Sequence, residues 1–347
     1  MTLLGPPATV FRLPPGSEAA EPPERHGVPR DGVRLLVAGG GGIEHRRFHD
    51  LPDVLTPGDL LVVNTSATLA AAVDARLPGG RRAPVHVSTT LDDGTWVVEV
   101  RRPDGPELGL PPGTRLRLPG GVRLDLAAPY PDPAAPHGRL RRAAPHPAVP
   151  LHAYLARYGR PIRYRHLAAD VPLDTLQTVY ATEPGSAEMP SAGRPFTAPL
   201  LVRLMARGVT VAPLVLHAGV SSQEHHEPPF PERYEVPVDT ARLVRSARAV
   251  GRRVVAVGTT VVRALETVAA ADGTVSAGRG WTELVLGPDR PARAVTGLVT
   301  GLHPPEASHL LLLEAVAGPE LVGAAYAEAV RTGYRWHEFG DSMLFLP

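Results

Sequence analysis

Three segments that read as β-strands end in residues that could do chemistry. VTVAPLVL runs into His217, RRVVAV runs into Thr259 and Thr260, and ARAVTGLVT runs into His303. In α/β sheets, ligands bind outside the carboxyl ends of the strands, where loops converge. We therefore expect these side chains to share one site, although for any single histidine we favour a satisfied core residue.

The second of these strand exits indicates an anion site. Thr259 and Thr260 precede a helical pattern, and the first amides of a helix have no partner within the helix. Arg263, one turn further on, could hold a carboxylate through two parallel hydrogen bonds. The alternative is an ordinary helix start with a surface pair between Arg263 and Glu266. The spacing alone favours neither interpretation.

The segment from Gln177 to Thr197 has the composition of a ligand-binding loop. It is rich in small, turn-forming and polar residues, and Ser191 and Gly193 leave room for backbone to approach a ligand. Thr197 can cap the next predicted helix, which ends at Gly208. This arrangement predicts a ligand cradle directly before a well-defined helix.

Composition removes several chemistries. All 36 basic residues are arginine and cysteine is absent, so the chain has no Schiff-base lysine, thiolate nucleophile, disulfide or cysteine-ligated metal centre. A net charge of +1 indicates neither a nucleic acid nor a membrane as partner. No apolar run approaches the ~20 residues of a membrane span and no signal peptide is evident, so we expect a cytoplasmic protein.

The elements that must position these residues form two predicted domains. Residues 1–65 and 151–347 show the alternating strands and helices of an α/β domain. Residues 66–150 contain short β-like runs between Pro, Gly and Asp, which predicts an inserted all-β barrel. That segment carries eleven arginines and eight acidic residues, so we favour a solvated β-domain over an RNA-binding face.

The run from Gln223 to Glu227 contains two adjacent histidines, His225 and His226. Adjacent side chains diverge, and no spaced motif accompanies them, so we expect an exposed loop there and no metal site.

Several blocks, in order, resemble the S-adenosylmethionine:tRNA ribosyltransferase-isomerase family of queuosine biosynthesis. They are DLPDVLTPGDLLVVN, QTVYATEPGSAEMPSAGRPFT, LVLHAGV, RVVAVGTTVVRALE, GLVTGLHPPEAS and FGDSMLFL, and they span nearly the whole chain. The resemblance implies a large α/β domain, distorted and barrel-like, with a small inserted β-barrel. It also implies a transferase and isomerase that modifies tRNA.

In the implied reaction, the ribosyl part of S-adenosylmethionine moves onto a 7-deazaguanine base in tRNA and rearranges, and adenine and methionine leave. S-adenosylmethionine is a co-substrate, and no prosthetic group or metal is required. Such a reaction needs a base for the proton beside the sulfonium, a proton donor for adenine, and donors that anchor the methionine carboxylate.

The site residues expected from the resemblance fall into two groups. The candidates for general base or acid, with no assignment between these roles, are His217, Glu232, His303 and Asp341. The candidates for binding substrate are Asn64, Tyr180, Ser191, Ala192, Gly193, Arg194, Phe196, Gly219, Thr259, Thr260 and Arg263.

The chain also departs from the family pattern at several positions. Arg194 and Pro195 stand where the family has Leu-His, and Ala67, Ala72 and Phe230 replace two arginines and a histidine. These changes motivate two alternatives: a paralogue that uses S-adenosylmethionine on a small-molecule acceptor, and a non-catalytic homologue that binds a nucleoside. In both, Arg194 and Pro195 are the expected place where specificity changed.

Overall fold

The computed structural model describes residues 5–135, 138–220, 227–305 and 307–347. Its α-helices, in chain order, are α1 (Leu51–Val54), α2 (Leu151–Tyr158), α3 (Ala198–Ala206), α4 (Val238–Ala249), α5 (Thr259–Thr267), α6 (Ser308–Ala317) and α7 (Pro319–Arg331). Its strands are β1 (Arg34–Gly39), β2 (Gly42–Arg47), β3 (Leu60–Asn64), β4 (Ser66–Thr68), β5 (Ala72–Arg76), β6 (Arg82–Thr90), β7 (Trp96–Arg102), β8 (Gly105–Pro106), β9 (Arg115–Arg117), β10 (Arg123–Pro129), β11 (Leu140–His146), β12 (Glu183–Ser186), β13 (Thr210–Leu216), β14 (Glu232–Val236), β15 (Val254–Val257), β16 (Gly278–Thr282), β17 (Gly297–Gly301) and β18 (Ser342–Leu346).

The larger sheet has nine strands in the order β16-β14-β13-β3-β15-β17-β18-β1-β2. Its centre is parallel, because β13, β3, β15 and β17 pair successively in the same direction. The carboxyl ends of these four neighbouring strands therefore meet at one edge of the sheet. The predicted strand exits at His217, Thr259 and His303 all lie at this edge.

Helices cover both faces of this sheet, as the alternation along β3 requires. Leu60 and Val62 pack into one buried cluster with residues of α4, α5, α6 and α7. Leu61 and Val63 point the other way and pack with residues of α1 and α3. The layered α/β arrangement predicted from the sequence is confirmed.

The second sheet is a closed barrel. Six strands follow the order β11-β10-β9-β5-β6-β7, and pairing between β11 and β7 closes the ring, with the short β8 beside β7. Trp96, Val98 and Leu124 lie in its core. Leu151 and Leu155 of α2 pack into the same core, so the helix after residue 150 covers the barrel. The predicted small all-β barrel is confirmed.

Local signals position the helices at the site with one exception. The Thr197 hydroxyl accepts a hydrogen bond from the Leu200 amide at 3.2 Å and so caps α3 as expected. Gly208 follows that helix with a φ of 79°. The helix α4 is the exception, because it begins after Pro237 without a side-chain cap, and Asp239 lies inside its first turn.

The helices α6 and α7 are rich in apolar residues that pack inside the fold. Leu310 and Leu313 of α6, and Tyr326 of α7, are fully buried in the core beneath the large sheet. Within the ranges that the structure describes, no single helix is long and apolar enough to span a membrane. Only α6 and α7 taken together, with a bend of 120° between them, meet that test of length and composition.

Candidate active site

A cavity of about 630 Å³ lies at the carboxyl edge of the parallel strands. It falls within the roughly 300–1,000 Å³ typical of small-molecule sites. The sequence-predicted site residues that line it are Ser191, Ala192, Glu232, Thr259, Thr260, Arg263 and His303. The predicted site residues that do not line it are Asn64, Tyr180, Gly193, Arg194, Phe196, His217, Gly219 and Asp341.

The start of α5 presents free backbone donors to this cavity. Gly258, with a φ of 92°, turns the chain from β15 into the helix, and a side chain would be strained in that conformation. Within the described residues, the amides of Thr259 and Thr260 have no hydrogen-bond partner. Helix N-termini of this kind bind anions, because the amides and the helix dipole both favour negative charge. This placement fits the predicted anchor for a carboxylate.

The guanidinium of Arg263 lines the cavity, but most of its donors are already used. Nε donates to the carbonyl of Leu284 at 3.1 Å, and Nη2 donates to the carbonyls of Phe230 and Thr282 at 3.1 and 3.2 Å. Nη1 donates to the carboxylate of Glu232. The main role of Arg263 is therefore to hold the carboxylate of Glu232 in position.

The alternative pairing of Arg263 with Glu266 is wrong. Glu266 is 1% exposed and accepts hydrogen bonds from the amides of Arg293, Ala294 and Val295 instead. A buried carboxylate that is satisfied by backbone amides has no need of the neighbouring arginine. The helix therefore turns Arg263 and Glu266 to different environments.

Glu232 lines the cavity, and its carboxylate is held there by Gly219 and Arg263. One oxygen accepts from the Gly219 amide at 2.9 Å, and the other accepts from Arg263. Gly219 leaves no space for a side chain, because a Cβ there would lie 2.6 Å from the Ser88 hydroxyl. Burial raises the pKa of Glu232, and Arg263 and the Gly219 amide partly oppose this effect. A fixed carboxylate with a raised pKa is suited to general-base catalysis.

His303 follows β17 and faces the cavity from the opposite strand exit. Its ring stacks on that of His309, with centroids 4.5 Å apart and an interplanar angle of 7°. Burial, followed by the nearby His309, holds the pKa of His303 well below its ordinary range, so the ring is neutral. Nε2 of His303 lies 3.0 Å from the Thr300 hydroxyl, which lies 3.1 Å from the Gly301 carbonyl. When this hydroxyl donates to the carbonyl it accepts from Nε2, and the lone pair of the histidine is then on Nδ1.

The predicted ligand cradle divides at Ala192. Ser191 and Ala192 line the cavity from a short 3₁₀ helix, Ser191–Gly193. Phe196 is fully buried and packs edge-to-face on Phe48 in the core, with centroids 5.0 Å apart. Ser191 and Ala192 thus face the cavity, whereas Phe196 anchors the segment to the fold.

Gly193 and Tyr180 pack against each other inside this anchor. A Cβ at Gly193 would lie 2.3 Å from the hydroxyl oxygen of Tyr180, so the glycine is required by packing. That hydroxyl is buried and, in the described part of the chain, has no hydrogen-bond partner. Burial raises the pKa of Tyr180.

Arg194 turns away from the cavity, in contrast to the prediction that it sets specificity. Its side chain is 2% exposed and holds Glu24 through two hydrogen bonds at 2.8 and 3.0 Å. It also donates to the carbonyl of Thr175 at 3.1 Å and lies over the ring of Phe339. The arginine fastens the N-terminal segment to the fold, because its charge needs partners when it is buried.

His217 and Asn64 lie behind the cavity and hold strands together. Nδ1 of His217 is 2.7 Å from the hydroxyl of Ser66, and burial lowers the pKa of this histidine to about 4. The Asn64 side chain bridges to both backbone groups of Leu216, at 3.0 and 2.8 Å. Both residues lie at the predicted sheet edge, but their side chains form hydrogen bonds within the protein and do not line the cavity.

Asp341 also serves the backbone. Its two oxygens accept from the amides of Arg34 and Arg335, at 2.7 and 2.8 Å. It lines a second cavity of about 550 Å³, next to the N-terminal segment. Burial raises the pKa of Asp341, and the two amides oppose this effect. The structure therefore places it apart from Glu232 and His303.

The main cavity is also lined by residues that were not predicted from the sequence. His166, His337, Glu338 and Tyr164 line it. His337 is the one non-glycine residue with a positive φ, 71°, among those described. The dipeptide His337-Glu338 offers two polar side chains that could bind a ligand. Nothing in the sequence, however, connects it to His166, which is 171 positions earlier. The adjacent histidines at 225 and 226 lie outside the described residues.

The fold and the cavity define an α/β protein with a closed β-barrel and a small-molecule site at the ends of its parallel strands. The family model described as queuosine biosynthesis protein matches residues 8–345. The chain belongs to this family.

Similar proteins cover nearly the whole chain. The S-adenosylmethionine:tRNA ribosyltransferase-isomerase of Moorella thermoacetica is 40% identical, over 97% of this chain and 98% of that protein. The protein of the same description from Thermus thermophilus is 37% identical, again over 97% and 98%. A crystal structure of the S-adenosylmethionine tRNA ribosyltransferase from Thermotoga maritima aligns with a TM-score of 0.53 and 31% identity, over 98% of this chain and 100% of that one.

Proposed function

We propose that this chain transfers and isomerises the ribosyl part of S-adenosylmethionine onto a 7-deazaguanine base in tRNA, and releases adenine and methionine. The observation that carries the proposal is the single cavity that joins Glu232, the free amides of Thr259 and Thr260, and His303. Full-length similarity to S-adenosylmethionine:tRNA ribosyltransferase-isomerases supports it.

The cavity supplies two of the groups that this reaction needs, a base and donors for the methionine carboxylate. The free amides of Thr259 and Thr260 hold the methionine carboxylate at the positive end of α5. Glu232, with its raised pKa, removes the proton beside the sulfonium, where the positive sulfur acidifies the carbon. The Nδ1 lone pair of neutral His303 accepts a hydrogen bond from the nucleoside. No prosthetic group takes part.

Arg263 has a positioning role in this scheme. It was expected to grip the substrate carboxylate, but its donors hold Glu232 and three backbone carbonyls. Its positive charge favours the ionised form of Glu232 and fixes the direction of its free lone pairs. We assign carboxylate binding to the helix amides for this reason.

The acceptor in this proposal is tRNA. The alternative of a small-molecule acceptor relied on the departures from the family pattern, above all on Arg194. That side chain is buried against Glu24 and does not line the cavity, so it does not select an acceptor there. A base within a folded RNA reaches such a cavity only when it is turned out of its stack.

Two further predictions from the sequence belong to this proposal. We propose that residues 1–65 and 151–347 form the catalytic domain and that residues 66–150 form the inserted barrel domain. We also propose a cytoplasmic location, where a tRNA-modifying enzyme meets its substrate.

A release assay tests the function. Purified protein is incubated with S-adenosylmethionine and one of three acceptors: tRNA with the aminomethyl-deazaguanine base, the same tRNA with guanine, or the free aminomethyl base. Mass spectrometry follows adenine, methionine and the modified nucleoside. The proposal predicts release and product with the first acceptor alone. Turnover with the free base but not with tRNA would support the small-molecule alternative, and binding without turnover would support the non-catalytic one.

A further inference from the structure

We propose that His166, His337 and Glu338 form a binding site for a divalent transition-metal ion, with zinc as the best match to the ligand set. One donor atom from each residue lies within 4.8 Å of the other two. All three residues line the main cavity, and none of them has a part in the proposed reaction. The inference therefore goes beyond the proposed function and assigns the metal no step in it.

The first argument is the relation between His166 and Glu338. Nε2 of His166 lies 3.0 Å from Oε2 of Glu338, and the His166 side chain is 8% exposed. Despite this distance, neither atom has a hydrogen-bond partner among the described residues. The two atoms thus lie side by side and do not point at each other. Two ligands at about 2.0–2.2 Å from a tetrahedral zinc ion lie roughly 3.3 Å apart, which is close to this spacing.

The second argument is the support given to His337. Its ring lies against that of His166, with centroids 4.5 Å apart and an angle of 14°, so one ring must turn for both nitrogens to face a shared ion. Nε2 of His337 lies 2.9 Å from a carboxylate oxygen of Glu18. Carboxylates commonly orient histidine ligands through the ring nitrogen that does not bind the metal. Because Glu18 engages Nε2, Nδ1 is the nitrogen of His337 that can bind a metal without breaking this pair.

The ligand set determines the class of ion. Two imidazole nitrogens and one carboxylate oxygen suit zinc, cobalt and nickel, whereas magnesium and calcium prefer sites built from oxygen. Three protein ligands would leave one tetrahedral position for water or another ligand. The ion would tie three segments together: the loop after α2, the loop before β18 and, through Glu18, the N-terminal segment.

Metal titration of untagged protein tests this site, since a polyhistidine tag would itself bind zinc. The protein is first dialysed against a chelator. Zinc is then followed by calorimetry and cobalt by its visible absorption, with magnesium present in excess. We expect one equivalent of each transition metal to bind, with a cobalt spectrum typical of four ligands. A wild-type protein that binds no stoichiometric zinc or cobalt would overturn the proposal.

Three variants locate the binding. His166→Gln and Glu338→Gln should each weaken zinc binding at least tenfold. Loss of a residue that only orients a metal ligand already costs about 10–100-fold in affinity. The control is His45→Ala. Nε2 of His45 lies 2.9 Å from Glu328, the same distance as that between His337 and Glu18, but His45 is outside the proposed site. This variant should bind zinc like the wild type. Circular dichroism establishes that each variant is folded, and two folded ligand variants with wild-type zinc affinity would contradict the site.

Discussion

Two histidines follow parallel strands of the same sheet and have different roles. His303, after β17, faces the main cavity and stacks on His309. His217, after β13, bonds to Ser66 behind the cavity. Position at a strand end thus predicts the neighbourhood of a side chain but not its direction. Residues such as Glu232 and His303 face the cavity, whereas residues such as His217 and Arg194 support the fold around it.

The largest effect is expected for Glu232→Gln. The substitution keeps the size of the side chain but removes the proposed base, so kcat should fall by about 10²–10⁴-fold. The affinity for S-adenosylmethionine, measured by calorimetry, should change little. His217→Gln is the matched control from the supporting group and should retain most of the activity. Equal losses in the two variants would remove the distinction between the groups.

Arg263→Gln should have the next largest effect. Without the arginine, the pKa of Glu232 rises further, because burial is no longer opposed by a positive charge. The acidic limb of the pH–rate profile should therefore move to higher pH, and misplacement of the carboxylate should cost up to about 10²-fold in kcat/KM. An unshifted profile with weaker binding of S-adenosylmethionine would instead make Arg263 the carboxylate anchor.

Arg194→Leu tests a supporting residue that was predicted to contact substrate. The change removes the two hydrogen bonds that Glu24 accepts from Arg194 and leaves it with the ion pair to Arg30. It should lower the free energy of unfolding by about 1–3 kcal/mol, measured with urea. At a temperature where the variant is folded, its selectivity between modified and unmodified tRNA should equal that of the wild type. A changed selectivity would return Arg194 to the substrate site.

The smallest effect concerns the pH dependence of stability. The pKa of His217 falls from 6.5 to about 4 on folding, mainly because of burial. Its folded-state pKa is depressed, so its contribution is present above pH 6.5 and is lost as the pH falls towards 4. In His217→Gln, the free energy of unfolding should decrease less steeply across this window. An identical slope in both proteins would show that His217 is not held neutral by the fold.

The sequence predicted the elements near the site well, because local signals define them. The strand runs before His217, Thr259 and His303 are short, apolar and bounded by turn residues, and the parallel order of their strands brings their ends together. The cap at Thr197 follows from one side chain and its own helix.

What the sequence could not predict depends on distant partners. Nothing near Arg194 reveals that Glu24 will pair with it, and nothing near Arg263 reveals Glu232. His166 and His337 meet only because the loops that carry them fold against the main cavity. From the sequence alone, the departures from the family pattern indicated a change of acceptor. The structure shows that one of them, Arg194, forms a buried ion pair with Glu24.

A crystal structure of the protein with S-adenosylmethionine tests the central claim most directly. The account predicts the ligand in the main cavity, with its carboxylate on the amides of Thr259 and Thr260 and its ribose within reach of Glu232. It predicts no ligand beside Asp341 in the second cavity. A ligand bound there, or one whose carboxylate lies on Arg263 and away from the start of α5, would contradict the account.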